Sequence, residues 1–444
     1  MLVPLRVNIL FRSNPTREDG PCTYKIEEGK VFKMRLPQDE QLVKIYGESA
    51  KSKQRFENLA KHFTEIYQKE EMEFFSAPGR TEMIGNHTDH NGGWVIASSI
   101  DLDTIGAACP NGSDVIRITS EGYDQEIVVD LTKIDEIEKV QGTTSLVAGM
   151  MEGLKSMGYQ VGGFDAYVTT TVIPAAGVSS SASFEMLVCT MTNYFFNDNK
   201  MSVSDYAKAG KYAENIFWNK ASGMMDQMAC AVGGPVLFDF SKGNEPEYNA
   251  VDFSFAKAGY QLVIVNTGKG HADLGDEYSS IPNEMKEAAK VLGVSLLCES
   301  SLEELLAHCN EIENDRAFLR AVHFFEENRR VKEAADAMKA DDTKKVLDLM
   351  KQSGTSSWEL LQNCYSLQDC KEQKITRTLA LTELFLNKLG DGMCRVHGGG
   401  FAGVIMCIVP EKETQHYVDY IAEYVGKENV YPMNLRATGA VHIS

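Results

Sequence analysis

Basic residues are scarce in this 444-residue chain: 44 lysines and arginines face 63 aspartates and glutamates, for a formal net charge of -19. Binding along a nucleic-acid backbone needs a basic footprint that displaces counterions. The deficit excludes that class of function, and an acidic surface is repelled by anionic membranes as well. An anionic small molecule is not excluded, but its charge must be met locally, by backbone amides, a metal ion and a few cationic side chains. Long apolar runs are absent too. No stretch approaches the ~18 residues of a membrane-spanning helix. The opening MLVPLRVNILFRSNP is broken by Arg6 and Arg12 and has no small-residue cleavage site, so it does not read as a signal peptide. The ten cysteines, spread from Cys22 to Cys407, include no CxxC pair and no zinc-like spacing. Free thiols in a reducing, cytoplasmic compartment are the expectation. No internal repeat or low-complexity segment occurs, and the P-loop spacing GxxxxGK[ST] is missing.

What is present is an ordinary globular composition, 43% hydrophobic and 24% charged. At ~150 residues per domain the length predicts two or three domains. Residues 1–50 carry the least pattern: a turn-rich patch at Ser13, Asn14 and Pro15 and an extended piece around Tyr24 to Leu36, read as an N-terminal extension. Residues 53–68 set Phe56, Leu59, Phe63 and Tyr67 at helical spacing. The run MEFFSAP predicts a short strand that turns at Pro78-Gly79, and the β-branched run at residues 165–173 predicts another. Helices are expected over the apolar run that follows Ser179 and over residues 205–218, and PVLFDF, YQLVIVN and residues 402–409 read as strands. Helical patterns dominate residues 283–389. Strands and helices mix without simple βαβ alternation, which predicts an α+β chain of two domains with a cleft between them, divided near residue 255: 51–255 and 256–444.

Four segments carry chemistry. In Ile173-Pro-Ala-Ala-Gly-Val-Ser-Ser-Ser-Ala-Ser183 a strand ends, a Pro/Gly turn follows, and three serines open a helix. Amides at a helix start converge on an anion, and serine hydroxyls add donors, so the segment can cradle phosphate. A plain strand-turn-helix with serine caps fits the local pattern equally well. In the loop running from Ser76 to Gly93, Arg80, Asn86, His87, Asp89 and His90 crowd between glycines, a density of donors and acceptors that suits a polyhydroxylated ligand. A polar surface loop is the competing reading, and a metal site there lacks a fourth ligand. Glu214 precedes Ala221-Ser-Gly-Met-Met-Asp-Gln227, where Asp226 stands among methionines. Desolvation there raises a carboxylate's proton affinity toward that of a useful base. His397-Gly-Gly-Gly-Phe-Ala-Gly403 allows close backbone approach to a ligand or to another segment.

Taken in order, the four segments resemble the GHMP kinases, and within them the galactokinases, over about residues 53–444. The loop after Ser76 resembles the galactokinase signature GR-x-N-[LI]-IGEH-x-DY, and the others resemble the family's Gly/Ser nucleotide loop, MDQ motif and third, glycine-rich motif. The resemblance implies a two-domain GHMP kinase-like fold with mixed sheets, a helix-rich second domain and the active site in the interdomain cleft. It implies phosphorylation of the anomeric hydroxyl of a hexose, galactose first, by ATP with Mg²⁺. By the same resemblance Asp226 is the base and Arg80 stabilises charge beside it. Asn86, His87, Asp89, His90, Gly223 and Tyr278 contact sugar. Gly177, Val178, Ser179, Ser180, Ser181, Ala182, Gly399 and Gly400 contact nucleotide, and Ser181 and Glu214 hold the metal. No lysine stands in the cradle.

Two departures bear on the sugar. The signature has Glu where this chain has Asn86 and Tyr where it has His90. Loss of a carboxylate near the sugar's sixth carbon, with an added imidazole, makes a galacturonate kinase the alternative; plant galacturonate kinases resemble this loop. His397 replaces a threonine and Val178 a leucine. A non-catalytic sugar and ATP sensor is the rival from another class, against which the retained Arg80, Asp226, Ser181 and Glu214 weigh. The oligomeric state, monomer or dimer, is left open.

Overall fold

The computed structural model describes residues 36–444, apart from residues 175, 221, 244, 269–274 and 402. The turn at Ser13 to Pro15 and the extended piece expected from Tyr24 lie outside them. Leu36 to Ser444 form one compact unit.

The first sheet has eight strands: β1 (Glu73–Ile84), β2 (Trp94–Pro110), β3 (Val115–Ser120), β4 (Ile127–Asp130), β5 (Phe164–Thr170), β6 (Pro235–Asp239), β7 (Glu247–Ala250) and the C-terminal Val441–Ile443. The second has four: β8 (Tyr260–Asn266), β9 (Met393–His397), β10 (Val404–Pro410) and β11 (Val430–Met433), in the order β11-β8-β10-β9. The last strand of the first sheet, β12, is Val441–Ile443. β3 and β5 run parallel and the other pairs of that sheet antiparallel, so the sheet is mixed. β2 is long enough that its first half pairs with β6 and its second half with β5.

The first sheet ends at β7 and the second opens at β8, either side of the division expected near residue 255. The expected domain 256–444 is not self-contained, however: β12 lies beside β1, pairing Phe74 with Ile443. Nor is the whole of residues 1–50 an appendage. The helix Asp39–Tyr46 packs on the first sheet, and the Gln38 amide donates to the Ser444 carbonyl at 3.2 Å.

Burial follows the apolar patterns. In the helix Ala50–Tyr67, Phe56, Leu59 and Phe63 are buried against Phe74, Ile105 and Tyr167 of the sheet. The helix Ser180–Phe196 is apolar nearly all round and sits in the core beside Thr143–Ser156; the hydroxyl of Ser179, at its N-cap, does not cap it but donates to Asp226. A third cluster joins the two sheets, with Ile84 and Ile96 against Ile264, Val404 and Met406, and the 25-residue helix Asp315–Lys339 contributes Val331 and Met338 to it.

Two local differences from the sequence expectation matter for the site. β1 does not turn at Pro78-Gly79; it continues to Ile84, with register shifts against β2 after Pro78 and after Glu82. Proline cannot donate to the ladder, so the strand bulges there instead of ending, and the bulge re-aims Arg80. The helix expected over 205–218 is α-helical at Val203–Tyr212 and widens to a π-turn at Ala213–Phe217, which contains Glu214.

Asp103 of β2 pins the helices Asp39–Tyr46 and Ala50–Tyr67 and the segment around Arg436 to this frame. Its buried carboxylate accepts from Arg55 at 2.6 Å, Ser76 at 2.7 Å, Tyr46 at 2.7 Å and Arg436 at 3.0 Å. Burial disfavours its charge, and the two guanidinium groups more than offset this, holding its pKa below the usual carboxylate range. Removing the carboxylate leaves Arg436, 1% exposed, as an uncompensated buried charge. Asp103→Ala is therefore expected to cost ~3–5 kcal/mol in a urea unfolding titration. Arg117 is partly exposed and its buried partner Asp165 keeps Lys69 and Asn111, so truncating Arg117 is expected to cost less than Asp103→Ala.

Candidate active site

A cleft of about 1060 Å³ is lined by Gly177, Ser179, Ser180 and Ser181 on one side and by Tyr278 and Gly399 on another, with Arg80 and Asp226 at its base. It continues into a chamber of about 200 Å³ lined by Glu82, His87, Asp89, His90, Glu214 and Gly223, and the two share Arg80, Asp226 and Lys220. A further cavity of about 640 Å³ begins at Ser180, Ser181 and Trp218, which also line the cleft, and reaches Tyr123 and Thr143.

Arg80 joins the expected segments. Its Nε donates to Asp226 Oδ1 at 2.8 Å, its Nη2 lies 2.8 Å from the same oxygen, and its Nη1 donates to the Gly177 carbonyl at 2.5 Å. Its backbone amide donates to the Val178 carbonyl at 3.1 Å. Asp226, in the first turn of the helix Met225–Val232, accepts from the Ser179 hydroxyl at 2.5 Å through Oδ2. Burial raises its proton affinity, as the apolar surroundings suggested, but Arg80, Ser179 and Lys220 reverse the sign and hold its pKa below the usual carboxylate range. Asp226 is thus an ionised, oriented acceptor rather than a strong base.

The phosphate-loop expectation divides by side chain. Gly177 and Ser179 adopt positive φ, +67° and +60°. A Cβ on Gly177 would stand 2.6 Å from Val404, so the turn needs glycine both for its conformation and for its approach to the second sheet. Ser179, Ser180 and Ser181 are half-buried and line the cleft. Val178 and Ala182 do not: their side chains are core residues, so only their backbone is available to a ligand. Among the glycines of the third motif, Gly398 and Gly399 line the cleft. Gly400 lies behind them, its carbonyl accepting from Tyr278 at 2.9 Å.

The sugar-loop expectation needs one correction. Asn86 is fully buried and does not face the chamber. Its amide donates to both oxygens of Glu82 at 3.1 and 3.2 Å and to the Gly398 carbonyl at 2.7 Å, while its carbonyl accepts from Asn363 at 2.8 Å. Glu82, which does line the chamber, pairs with the buried Arg395 at 2.9 Å; burial nevertheless raises its proton affinity overall. The signature has Asn at position 82 and Glu at position 86, so this chain carries the two in exchange. A carboxyl group therefore remains in the chamber wall. Both departures are legible in the sequence; only the contact shows that they form a pair.

His87, at φ +61°, is held by the Gly399 carbonyl 3.0 Å from Nε2, so Nε2 carries the proton and Nδ1 is free to accept. Burial, with neighbouring cationic groups, drives its pKa down to about 3 and keeps it neutral. His90 stacks on it, ring centroids 5.8 Å apart, with Nε2 3.7 Å from Asp89 Oδ1. A Cβ at position 223 would collide with the Asp89 carboxylate, which accounts for Gly223. Tyr278 closes the rim, its ring edge-on to Phe401 at 5.6 Å.

Glu214 is buried, accepts from Lys220 at 2.7 Å and lies 3.5 Å from the Gln227 amide. Beneath it, Glu185 is fully buried and accepts from the same amide at 3.0 Å; burial and the charge of Glu214 raise its pKa. Sequence reasoning missed Glu82, Lys220, Glu185 and Arg395. It also missed His323 and Glu327 of the long helix, which hold the Asn86 carbonyl and the Gly85 amide at 2.9 and 3.0 Å from behind. Only Glu82 stands inside a segment with a signal.

The low proton affinity of Asp226 sets an expected pH profile. Chemistry that needs its ionised form stays fully available above its unperturbed pKa of 3.8, and the acid limb lies below that value. Arg80→Gln removes the opposing charge and leaves the burial, so the limb should move upward in a pH–kcat/KM profile.

Known proteins place the chain in a family. A model of the galactokinase galactose-binding signature matches residues 61–110, and one of the GHMP kinase N-terminal domain matches residues 145–234. The galactokinase of Clostridium tetani is 30% identical over 359 residues, 80% of this chain and 88% of that protein. That of Lactococcus lactis is 30% identical over 382 residues, 84% and 92%. The crystal structure of the Lactococcus lactis galactokinase complexed with galactose superposes with a TM-score of 0.75 at 26% identity, over 87% of this chain and 99% of that one. The Methanococcus jannaschii mevalonate kinase, at 16% identity and a TM-score of 0.58, shares the fold. With these matches spanning both the sugar loop and the phosphate loop, the chain belongs to the galactokinase family of GHMP kinases.

Proposed function

We propose that this protein transfers the γ-phosphoryl group of ATP to the anomeric hydroxyl of D-galactose. The observation that carries the reading is the contact of Arg80 with both Asp226 and the Gly177 turn, which puts a sugar-facing carboxylate and a phosphate-facing loop on one guanidinium. The small chamber takes the sugar. Asp89 and His87 Nδ1 accept from its hydroxyls, and the Asp226 carboxylate orients the anomeric hydroxyl. The cleft takes the triphosphate against the amides that follow Gly177, where the helix Ser180–Phe196 starts. The cavity from Ser180 to Tyr123 is sized for the nucleoside.

Phosphoryl transfer of this kind is chiefly positioning and charge neutralisation. Asp226 accepts the hydroxyl proton as the oxygen's acidity grows in the transition state. Its low proton affinity makes orientation its larger contribution. Arg80 neutralises charge between donor and acceptor and keeps Asp226 ionised until then.

Ser181 and Glu214 fit a magnesium ion as hard oxygen donors. Glu214 is buried against the ammonium of Lys220, and Glu185 Oε1 beneath it has no hydrogen-bond partner, so oxygen donors remain there that a divalent cation would engage. Among the described residues no three His, Cys, Asp or Glu side chains form a metal cluster, so an ion held by Ser181 and Glu214 would need further oxygen donors. When bound, the ion neutralises charge on the phosphates.

Galactose is favoured over galacturonate because the carboxyl group missing at Asn86 is supplied by Glu82. The sensor reading gains nothing from the oriented Arg80–Asp226 pair, which a binding protein does not need. We assign the reaction to the cytoplasm, where ATP is supplied; among the described residues no helix is long and apolar enough to cross a membrane.

A coupled ADP-release assay with MgATP tests the reading. Galactose should turn over well above galacturonate, N-acetylgalactosamine, glucose and arabinose. Asp226→Asn should lower kcat by ~10²–10⁴ while nucleotide still binds. Near-normal turnover by that variant, or turnover of galacturonate alone, would overturn it.

A further inference from the structure

Lys220 brings to the transfer site a cationic group that no sequence segment announces. It follows the π-turn, and its amide donates to the Glu214 carbonyl at 2.9 Å, which fixes its backbone. Its side chain is 48% exposed and its ammonium lies 2.7 Å from Glu214 Oε1. It lines the cleft together with Gly177, Ser179 and Ser181, and the chamber together with Glu214.

The cations of the cleft differ in availability. Arg80 is 5% exposed and fixed by Asp226 and the Gly177 carbonyl. His397 is neutral, because burial and the nearby arginines drive its pKa well down. Lys286 also lines the cleft, on the helix Gly275–Val291. Among the described residues of the cleft, Lys220 alone combines a fixed backbone, an exposed flexible stem and an ion-pair partner that is itself a candidate metal ligand. A divalent ion on Glu214 and the ammonium now beside that carboxylate repel each other. The compensating anions within the same cleft are the phosphates, since Asp226 is already paired. A lysine point charge is well suited to such oxygens.

We propose that Lys220 binds the terminal phosphates of the nucleotide, exchanging its Glu214 contact for phosphate oxygens. The inference rests on the reading of the cleft as the ATP site. It gives this chain the phosphate-binding lysine that the serine loop lacks.

The test is binding of MgATP, without sugar, by isothermal titration calorimetry to the full chain. Lys220→Gln should weaken it about tenfold to a hundredfold, the range of a charge-assisted hydrogen bond. Lys220→Arg should recover most of the loss, and Lys286→Gln should cause a smaller one. In steady state Lys220→Gln should lower kcat/KM for ATP by more than it lowers kcat/KM for galactose. Thermal melts check that each variant folds; should Lys220→Gln fail to fold, Lys220→Met and the arginine variant carry the comparison. Unchanged MgATP affinity in Lys220→Gln would overturn the proposal and leave Lys220 as the counter-ion of Glu214. A larger loss in Lys286→Gln than in Lys220→Gln would overturn it too. A wild-type chain that binds no ATP at all would instead overturn the reading of the cleft.

Discussion

The Arg80 guanidinium is the contact on which the rest of the site depends. It stands on the bulged part of β1, reaches Asp226 at the start of one helix and the Gly177 carbonyl just before another, and so fixes three chain segments far apart in sequence. Arg80 is nearly withdrawn from water while Asp226 stays partly exposed, and a buried guanidinium carries a desolvation cost that is offset only when geometry and further hydrogen bonds are good. Here the Ser179 hydroxyl occupies the second aspartate oxygen, and the arginine's third nitrogen meets a backbone carbonyl. The electrostatic outcome is functional as well as structural. Burial alone would make Asp226 a stronger base, and the arginine makes it a weaker base that is always in place.

Behind that pair stands a second buried polar layer. Arg395 of β9 reaches Glu82 and the Met83 carbonyl, at 2.9 and 2.7 Å. His323 and Glu327 of the long helix hold the backbone of Asn86 and Gly85, and Glu327 accepts from Ser353 and Arg330. His397 meets Thr81 at 3.0 Å. These residues come from the second half of the chain and grip a loop that belongs to the first sheet. The sugar loop is therefore shaped from behind by Arg395, His323 and Glu327, which do not line the cleft or the chamber. Partly satisfied networks of this kind are costly in a low-dielectric interior, and fully satisfied ones impose a single arrangement. The exchange of Glu and Asn between positions 82 and 86 is tolerated because the two side chains face each other inside this layer.

Local signals were legible where the chain itself imposes them. The apolar spacing of Phe56, Leu59 and Phe63 announced a helix and its buried face, and the serine-rich run after Ser179 announced a core helix with an anion-ready start. The glycines at 177, 223 and 399 marked close approaches that the packing requires. Composition excluded nucleic acid, and the order of four short segments carried the family. The bulge at Pro78 was read as a turn, because a proline-glycine pair breaks a ladder in either case and only the partner strand decides whether the strand resumes.

What the sequence determined by itself is the inventory: an α+β chain, its principal helices, and a set of residues able to bind phosphate and hydroxyl groups. Tertiary structure decided which members of the inventory face the ligand and in what charge state. Asn86 was displaced from the chamber wall by Glu82, Val178 and Ala182 went into the core, Lys220 entered the cleft, and Asp226 kept its charge. The reason is physical. Periodicity and propensity act over a few neighbouring residues, whereas burial and Coulomb interaction act between residues that meet only when the chain has folded.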